Sequence, residues 1–297
     1  MKQQRIPLST GVTLNVATAG PEDGKPVFLL HGFPESHRTW RGLVPLLEDE
    51  FRLVMPDQRG FGGSDRPTSV SAYTADRLVD DVDALADALE IKRFALVGHD
   101  WGGAVAWAAA LRGEPRIERL GIINSPHPLI FQRSLIENED QRLASQYMTL
   151  FAKEGMAEAI RRMGFETFFE KSFSPHVDLA IIPPEERATY VAQWSAPGAM
   201  EAMLNWYRAG RMVVPSPGER AQRPDWIDCD FPVLHLPIHV VWGMKDPALL
   251  PCQLDGLADL ADHHSVTRVE GAGHFVPWED PQSVAAALKP FLAEARL

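Results

Sequence analysis

Short apolar runs recur through the first part of the chain, and each of them ends at a turn-forming sequence. The runs are VFLL at 27–30, FRLVMPD at 51–57, FALV at 94–97 and LGII at 120–123. Helical patterns lie between them. Runs of this length that alternate with helices are typical of parallel strands buried on both faces. The pattern therefore predicts an α/β fold with a mostly parallel, doubly wound sheet.

The segment before the third run has the clearest helical period. Leu78, Val82 and Leu85 fall on one face of a helix. The aspartates of this segment fall mostly elsewhere, at positions 80, 81, 83 and 87. A solvated helix face explains these aspartates better than a metal site does, and we expect neither a metal nor a cofactor in this protein.

The strand pattern stops in the middle of the chain and then returns. Residues 129–225 have helical spacing and are rich in Met, Phe and Trp. The strand pattern resumes with IHVVWGMKD at 238–246 and HSVTRVEGAGH at 264–274, and a last helix follows. This order predicts a core domain formed by residues 1–128 and 226–297, with residues 129–225 inserted as a helical cap.

Composition narrows the classes of partner. The chain has 297 residues, 45% of them hydrophobic, and a formal net charge of −11, which argues against nucleic acid or an anionic membrane as a partner. The first 16 residues alternate as a strand does and lack the apolar region of a signal peptide. No apolar run is long enough to span a membrane. The two cysteines, Cys229 and Cys252, suit a reducing compartment. We expect the protein to be cytoplasmic, and the sequence leaves open whether it forms a homodimer.

The sequence LVGHDWGGAVAW, at 96–107, passes from an apolar strand through a tight turn into an Ala-rich helix. Gly98, Asp100 and Gly102 have the spacing of a nucleophile elbow, a strained turn that exposes one side chain at the top of a sheet. The exposed residue of many such turns is serine, whereas here it is Asp100. We therefore predict a carboxylate nucleophile.

Two further residues follow in the order expected for this arrangement, which is nucleophile, acid and histidine. Asp246 comes just after a strand in VVWGMKDP, and His274 lies in a loop after the last strand in EGAGHFVPWEDP. The loop after LGII offers Asn124 but no carboxylate. Asp246 is therefore the better candidate for the acid, and His274 for the base.

The sequence HGFP, at 31–34, supplies the candidate oxyanion hole. Such a hole combines the backbone N–H of the residue after the nucleophile with one from the loop after an early strand. These two donors are predicted to be the N–H groups of Trp101 and Phe33.

A carboxylate nucleophile restricts the substrates that can react. A carboxylate needs no base to remove a proton before it attacks. It is a poor nucleophile toward an amide or an ester, but it displaces a leaving group well at a saturated carbon. The product is an ester of Asp100, which water activated by His274 can hydrolyse. This chemistry suits an epoxide or a carbon–halogen bond and argues against an ordinary lipase or peptidase.

Several motifs together closely resemble those of the α/β-hydrolase epoxide hydrolases. They are HGFPES, PDQRGFGGSDRP, GHDWGG, SPHP and GAGHFVPWEDP. The resemblance runs over nearly the whole chain and is looser in the predicted cap. It implies an α/β-hydrolase fold, a covalent alkyl-enzyme intermediate and two cap tyrosines that hydrogen-bond the epoxide oxygen. The segments that match place these tyrosines at Tyr147 and Tyr207. The substrates are then a lipophilic epoxide and water.

Two alternatives remain open from the sequence. Haloalkane dehalogenases share the Asp nucleophile, and Trp101 could donate its indole N–H to a halide. That family usually has an Asn where this chain has Phe33. Fluoroacetate dehalogenases carry arginines beside the nucleophile, where this chain has Trp101, Gly102 and Gly103. A receptor or scaffold without catalytic activity would typically have lost a member of the triad, and none is missing here.

Overall fold

A computed structural model describes residues 1–219 and 223–294. The strands are β1 Lys2–Pro7, β2 Thr13–Ala19, β3 Lys25–Leu30, β4 Phe51–Pro56, β5 Phe94–His99, β6 Ile117–Ile123, β7 Ile238–Gly243 and β8 His264–Val269. The α-helices are α1 Val44–Leu47, α2 Ala75–Ala88, α3 Trp101–Leu111, α4 Pro128–Glu137, α5 Glu139–Ala144, α6 Gln146–Ala152, α7 Met156–Met163, α8 Phe165–Phe173, α9 Pro184–Ser195, α10 Ala199–Ala209, α11 Val276–Glu279 and α12 Pro281–Ala293.

The strands form one sheet in the order β1-β2-β4-β3-β5-β6-β7-β8. The pairs β1–β2 and β2–β4 are antiparallel, and every other pair is parallel. The predicted α/β fold with a mostly parallel sheet is confirmed. The first 16 residues differ from expectation, because they form two antiparallel strands joined by a turn that includes Gly11 at φ 85°.

The apolar runs fill two separate cores, one on each face of the sheet. Successive residues of β3 point to opposite faces, so that Phe28 packs in one apolar cluster and Val27 in the other. The same alternation divides Leu96 and Val97 of β5. Burial on both faces is the physical reason why these strands read as uninterrupted apolar runs in the sequence.

The aspartates of α2 do not all lie in solvent. Asp81 is buried, and the guanidinium of Arg59 donates to both of its carboxylate oxygens, with 2.6 Å from Nε to Oδ2. This ion pair joins α2 to the loop after β4. The expectation of a solvated face is therefore wrong at Asp81, while Asp80 and Asp83 pair with Arg112 nearer the surface.

Helices α4 to α10 are inserted between β6 and β7, and they are called the inserted helices below. The helical spacing of the predicted cap is divided into short helices in the structure: residues 141–163 fall in α5, α6 and α7, with Gly155 at φ 76° before α7. The boundaries of the predicted cap, 129–225, and of the two core segments stay a prediction. Residues 220–222 of that cap and 295–297 of that core lie outside the described residues.

Side-chain hydrogen bonds hold the inserted helices over the carboxyl ends of the parallel strands. The Trp194 indole of α9 donates to the carbonyl oxygen of Pro34 over 2.8 Å, and the Trp206 indole of α10 donates to that of Arg59 over 3.1 Å. Arg38 binds Glu186 of α9 through two nitrogens. The loops that follow β3 and β4 are therefore attached directly to the helices above them.

The helices are short. The longest α-helix in the part of the chain that the structure describes is α2, with 14 residues. Among these residues, no helix has the length and apolarity needed to cross a membrane.

The first turn of α3 packs against the end of β3 with no room for a side chain at Gly102. A Cβ atom there would overlap the carbonyl oxygens of Leu30 and His31, the second at 2.6 Å. We expect Gly102→Ala to lower the free energy of unfolding by about 1–3 kcal/mol, because backbone atoms must move to admit the methyl group. Calorimetric unfolding measures the change.

Gly271→Ala is the matched control, because no atom lies within 4 Å of a Cβ at Gly271. An equal melting temperature for both variants would contradict the close packing of the turn.

Candidate active site

The three triad candidates and the HGFP loop follow the carboxyl ends of parallel strands. Phe33 lies after β3, Asp100 after β5, Asp246 after β7 and His274 after β8. Parallel strands place these ends at one edge of the sheet, which is where ligands of open α/β sheets bind. The topology alone therefore brings together residues that are up to 241 positions apart in the sequence.

The turn between β5 and α3 holds Asp100 in an unusual backbone conformation. Its φ is 50° and its ψ is −120°, a region that non-glycine residues rarely adopt. The turn points the carboxylate away from the sheet, and 12% of the side chain remains exposed. The structure therefore gives Asp100 the geometry predicted for the tip of a nucleophile elbow.

One carboxylate oxygen of Asp100 contacts the loop after β3. The backbone N–H of Phe33 donates to Oδ1 over 2.7 Å. A side chain at Gly32 would overlap Asp100, so glycine is needed there for this close approach. The N–H of Trp101 is the first of α3 and has no partner within the helix by position. Its role as second donor stays a prediction.

The other oxygen of Asp100 faces an imidazole. Nε2 of His274 lies 3.7 Å from Oδ2 of Asp100, and Nδ1 of the same ring lies 2.7 Å from Oδ2 of Asp246. The ring of His274 therefore lies between the carboxylates of Asp100 and Asp246, the other two residues of the predicted triad. The 3.7 Å separation is longer than a hydrogen bond and leaves Nε2 without a direct bond to the carboxylate.

Asp246 is fully buried and held by several donors. The backbone N–H groups of Ala248 and Leu249 donate to Oδ1, and the amide of Asn124 donates to Oδ2 over 2.8 Å. Sequence reasoning treated Asn124 only as a residue without a carboxylate. The structure shows that it orients the carboxylate that follows β7, because β6 and β7 are neighbours in the sheet.

The charges around His274 shift its proton equilibrium. Burial alone would lower the pKa of His274, but the carboxylates of Asp246 and Asp100 outweigh it and raise that pKa to about 9. Burial would raise the pKa of Asp246, and its bonds with His274 lower it. In the free protein the ring is therefore an imidazolium between two carboxylates at neutral pH.

Both predicted tyrosines face this cluster. Tyr147 of α6 and Tyr207 of α10 lie with their ring centroids 6.3 Å apart, and both line the same cavities as Asp100. Burial raises the pKa of each phenol above its usual value, and the negative charge of Asp100 adds to this. Both side chains are therefore protonated at neutral pH and able to donate a hydrogen bond.

Two cavities meet at these residues. One has a volume of about 730 Å³ and the other of about 410 Å³, and Asp100, Tyr147 and Tyr207 line both. The larger cavity extends past Trp101. Among the described residues that line the two cavities, His274 lines the smaller cavity and not the larger one. Most of the other lining side chains in both cavities are apolar.

Sequence reasoning missed a buried pair behind His274. Nε2 of His99 lies 2.8 Å from the carbonyl oxygen of His274 and carries the proton of that contact, since a carbonyl only accepts. Nδ1 of His99 lies 3.2 Å from a carboxylate oxygen of Glu35, and burial raises the pKa of Glu35. Both residues lie inside motifs already singled out: His99 directly precedes Asp100 in GHDWGG, and Glu35 is two positions after Phe33 in HGFPES.

The cluster combines a carboxylate, an imidazole oriented by an acid, and two phenols around an apolar space. The described residues contain no group of three or more His, Cys, Asp or Glu side chains that could hold a metal ion. These groups can carry out nucleophilic displacement and proton transfer with their own atoms.

Comparison with known proteins shows the family to which the chain belongs. A family model described as the α/β-hydrolase fold matches residues 25–281. The chain belongs to the α/β-hydrolase family. It is similar to the AB hydrolase superfamily protein YfhM of Bacillus subtilis, with 34% identity over 96% of each chain. It is also similar to epoxide hydrolase A of Mycobacterium tuberculosis, with 30% identity over 99% of this chain and 98% of the other.

A solved structure from metagenomes of hot environments, described among novel epoxide hydrolases of this superfamily, is 41% identical to the chain. The structural alignment covers 99% of each chain, and its TM-score is 0.90. The resemblance of this α/β hydrolase to the epoxide hydrolases, predicted from its motifs, is confirmed.

The pKa of His274 gives a test of the cluster. We expect Asp100→Asn to lower this pKa below the wild-type value of about 9, because the substitution removes one of the two carboxylates that raise it. Nuclear magnetic resonance titration of the histidine ring nitrogens measures the change, with His274→Gln used to assign the signal.

Asp76→Asn is the control, since it removes an exposed carboxylate from the wall of the larger cavity, away from His274. An unchanged titration of His274 in Asp100→Asn would show that the two groups do not interact.

Proposed function

We propose that this α/β hydrolase is an epoxide hydrolase that converts a lipophilic epoxide to a vicinal diol through an ester of Asp100. The observation that carries the proposal is the position of the Asp100 carboxylate. It faces two protonated phenols, Tyr147 and Tyr207, across a shared cavity, with the imidazole of His274 on its other side.

In the first half-reaction, a carboxylate oxygen of Asp100 attacks one carbon of the epoxide. A C–O bond forms to that carbon, and the ring C–O bond at the same carbon breaks. The electron pair of the broken bond goes to the ring oxygen, where Tyr147 and Tyr207 donate hydrogen bonds and one of them supplies a proton. The products are the alkyl-enzyme ester and a hydroxyl group on the neighbouring carbon.

In the second half-reaction, water attacks the carbonyl carbon of the Asp100 ester. His274 accepts a proton from the water at Nε2, and Asp246 stabilises the charged ring. The N–H of Phe33 donates to the oxygen that becomes negative, and Trp101 supplies the second donor. The bond from the carbonyl carbon to the bridging ester oxygen, which came from Asp100, then breaks, and that oxygen takes the proton from His274 and leaves as the second hydroxyl of the diol. Asp100 is released as a carboxylic acid with one oxygen from water, and the transfer of its proton to His274 restores the starting carboxylate and imidazolium.

Alkylation prepares the base for its task. While Asp100 is ionised, its charge helps to keep His274 protonated. The ester of Asp100 is neutral, so its formation removes that charge and lowers the pKa of His274. The proton of the ring then passes through water to the phenolate left by ring opening. The phenol is thereby restored, and the neutral ring can accept a proton only after the first half-reaction has taken place.

Two features favour an epoxide over an alkyl halide. The phenols of Tyr147 and Tyr207 are placed to protonate an oxygen, which a departing halide does not need. Phe33, rather than a second halide donor, follows Gly32. Two other features stay predictions. One is a cytoplasmic location, which is supported by the unpaired thiols of Cys229 and Cys252, and the other is a homodimer.

His274→Gln tests the covalent route. We expect this variant to be alkylated by styrene oxide and then to stop, because glutamine cannot accept the proton of the attacking water. Intact-mass spectrometry should show a protein heavier by one molecule of epoxide, while the rate of diol formation falls by about two orders of magnitude or more.

Asp100→Asn is the matched control, and it should form neither adduct nor diol. If His274→Gln gave no adduct with any epoxide that the wild-type enzyme converts, the ester mechanism would be wrong. If the wild-type enzyme released halide from 1-bromobutane but formed no diol from a broad epoxide panel, the reaction would be dehalogenation.

The phenols are tested by Tyr147→Phe and Tyr207→Phe. Each change should slow alkylation by about tenfold, because one hydrogen bond to the ring oxygen is lost, and the double change should slow it much further. Stopped-flow fluorescence of single turnovers measures this step. Tyr190→Phe controls for the loss of a buried hydroxyl that lines neither cavity. A fully active double variant would contradict the assignment.

A further inference from the structure

His176 lies beside the catalytic imidazole but has no part in the steps above. It follows α8 among the inserted helices, and its ring centroid is 5.4 Å from that of His274 and 5.4 Å from that of Phe275. It lines the smaller cavity together with His274 and Asp100. The ring thus stands where that cavity reaches the base.

One ring nitrogen of His176 lacks a partner. Nδ1 is buried without a hydrogen bond to any residue in the ranges that the structure describes. A buried polar atom without a partner is costly, so such atoms in proteins usually bind water. Burial, and then the charge of His274, lower the pKa of His176 to about 4. The ring is neutral at neutral pH, with one donor and one acceptor.

The second half-reaction needs water at a defined place. The water must reach the carbonyl carbon of the Asp100 ester and lie within hydrogen-bond distance of Nε2 of His274. Of the two cavities, the smaller one has both residues in its lining. Apart from the reacting groups, its polar lining consists of Lys171, Ser172 and His176, and of these His176 has a ring contact with His274.

We propose that His176 is a positioning residue that holds water in the smaller cavity next to His274, and that it thereby places the nucleophile of the hydrolytic half-reaction. The inference rests on the proposed function, because it concerns the hydrolysis of the Asp100 ester. It assigns the smaller cavity to the supply of water to the base, in addition to any part of the substrate that it holds.

The test separates the two half-reactions in His176→Phe. Phenylalanine keeps an aromatic ring in place but binds no water. We expect single-turnover alkylation by styrene oxide to be unchanged and hydrolysis to slow by about tenfold, the effect of one lost hydrogen bond. Rapid quenching followed by intact-mass spectrometry should then show the alkyl-enzyme as the main form during turnover, with a lower kcat.

His176→Asn provides the rescue, since an amide has both a donor and an acceptor. It should restore hydrolysis toward the wild-type rate. If His176→Phe does not fold, His176→Leu, which also binds no water through its side chain, takes its place in the test. Ser174→Ala, an exposed change just after the same helix, should behave as the wild type.

Three outcomes would count against the inference. A wild-type rate of hydrolysis in His176→Phe would overturn it, and so would an asparagine variant as slow as the phenylalanine variant, because the role would then be one of shape. If His274→Gln accumulated no ester, the proposed function itself would fail, and that result is independent of any change at position 176.

Discussion

The backbone turn at Asp100 is the constraint on which the rest of this structure depends. A residue other than glycine is held there at φ 50°, and the strain is tolerated because a strand and a helix pack tightly on both sides of it. The turn sets the position of the carboxylate. One of its oxygens accepts a hydrogen bond from the Phe33 N–H, and the other faces the ring of His274. Gly98 and Gly102, on either side of Asp100, allow this packing because a side chain at either position would overlap backbone atoms. The two apolar cores hold β5 in place.

The electrostatics of the site follow from the position of that carboxylate. Asp246 is buried and fully hydrogen-bonded, so its charge acts on His274 at all times. The charge of Asp100 acts only until the residue is esterified. One of the two influences on the imidazole is therefore permanent and the other is removed by the reaction itself, which allows a single histidine to be an ion-pair partner first and a base afterwards.

Sequence alone predicted much of this arrangement because local patterns carry it. Apolar runs marked the parallel strands, and short motifs at their ends marked Asp100 and His274. The patterns failed where contacts depend on the order of strands in the sheet. Asn124 reaches Asp246 across 122 positions because β6 and β7 are neighbours, and His176 meets His274 only because the inserted helices fold back over the sheet. The N-terminal alternation predicts one strand where the structure has two, because a hairpin continues the same period through its turn.

The two cavities also differ in size, and the reactive carboxylate lies where they join rather than at the end of either. A molecule that carries its epoxide between two unequal substituents therefore has one orientation that fits better than the reverse. In that orientation a particular carbon of the ring faces Asp100. The shape of the space on each side therefore favours attack at one of the two carbons, and that attack fixes the configuration of the diol.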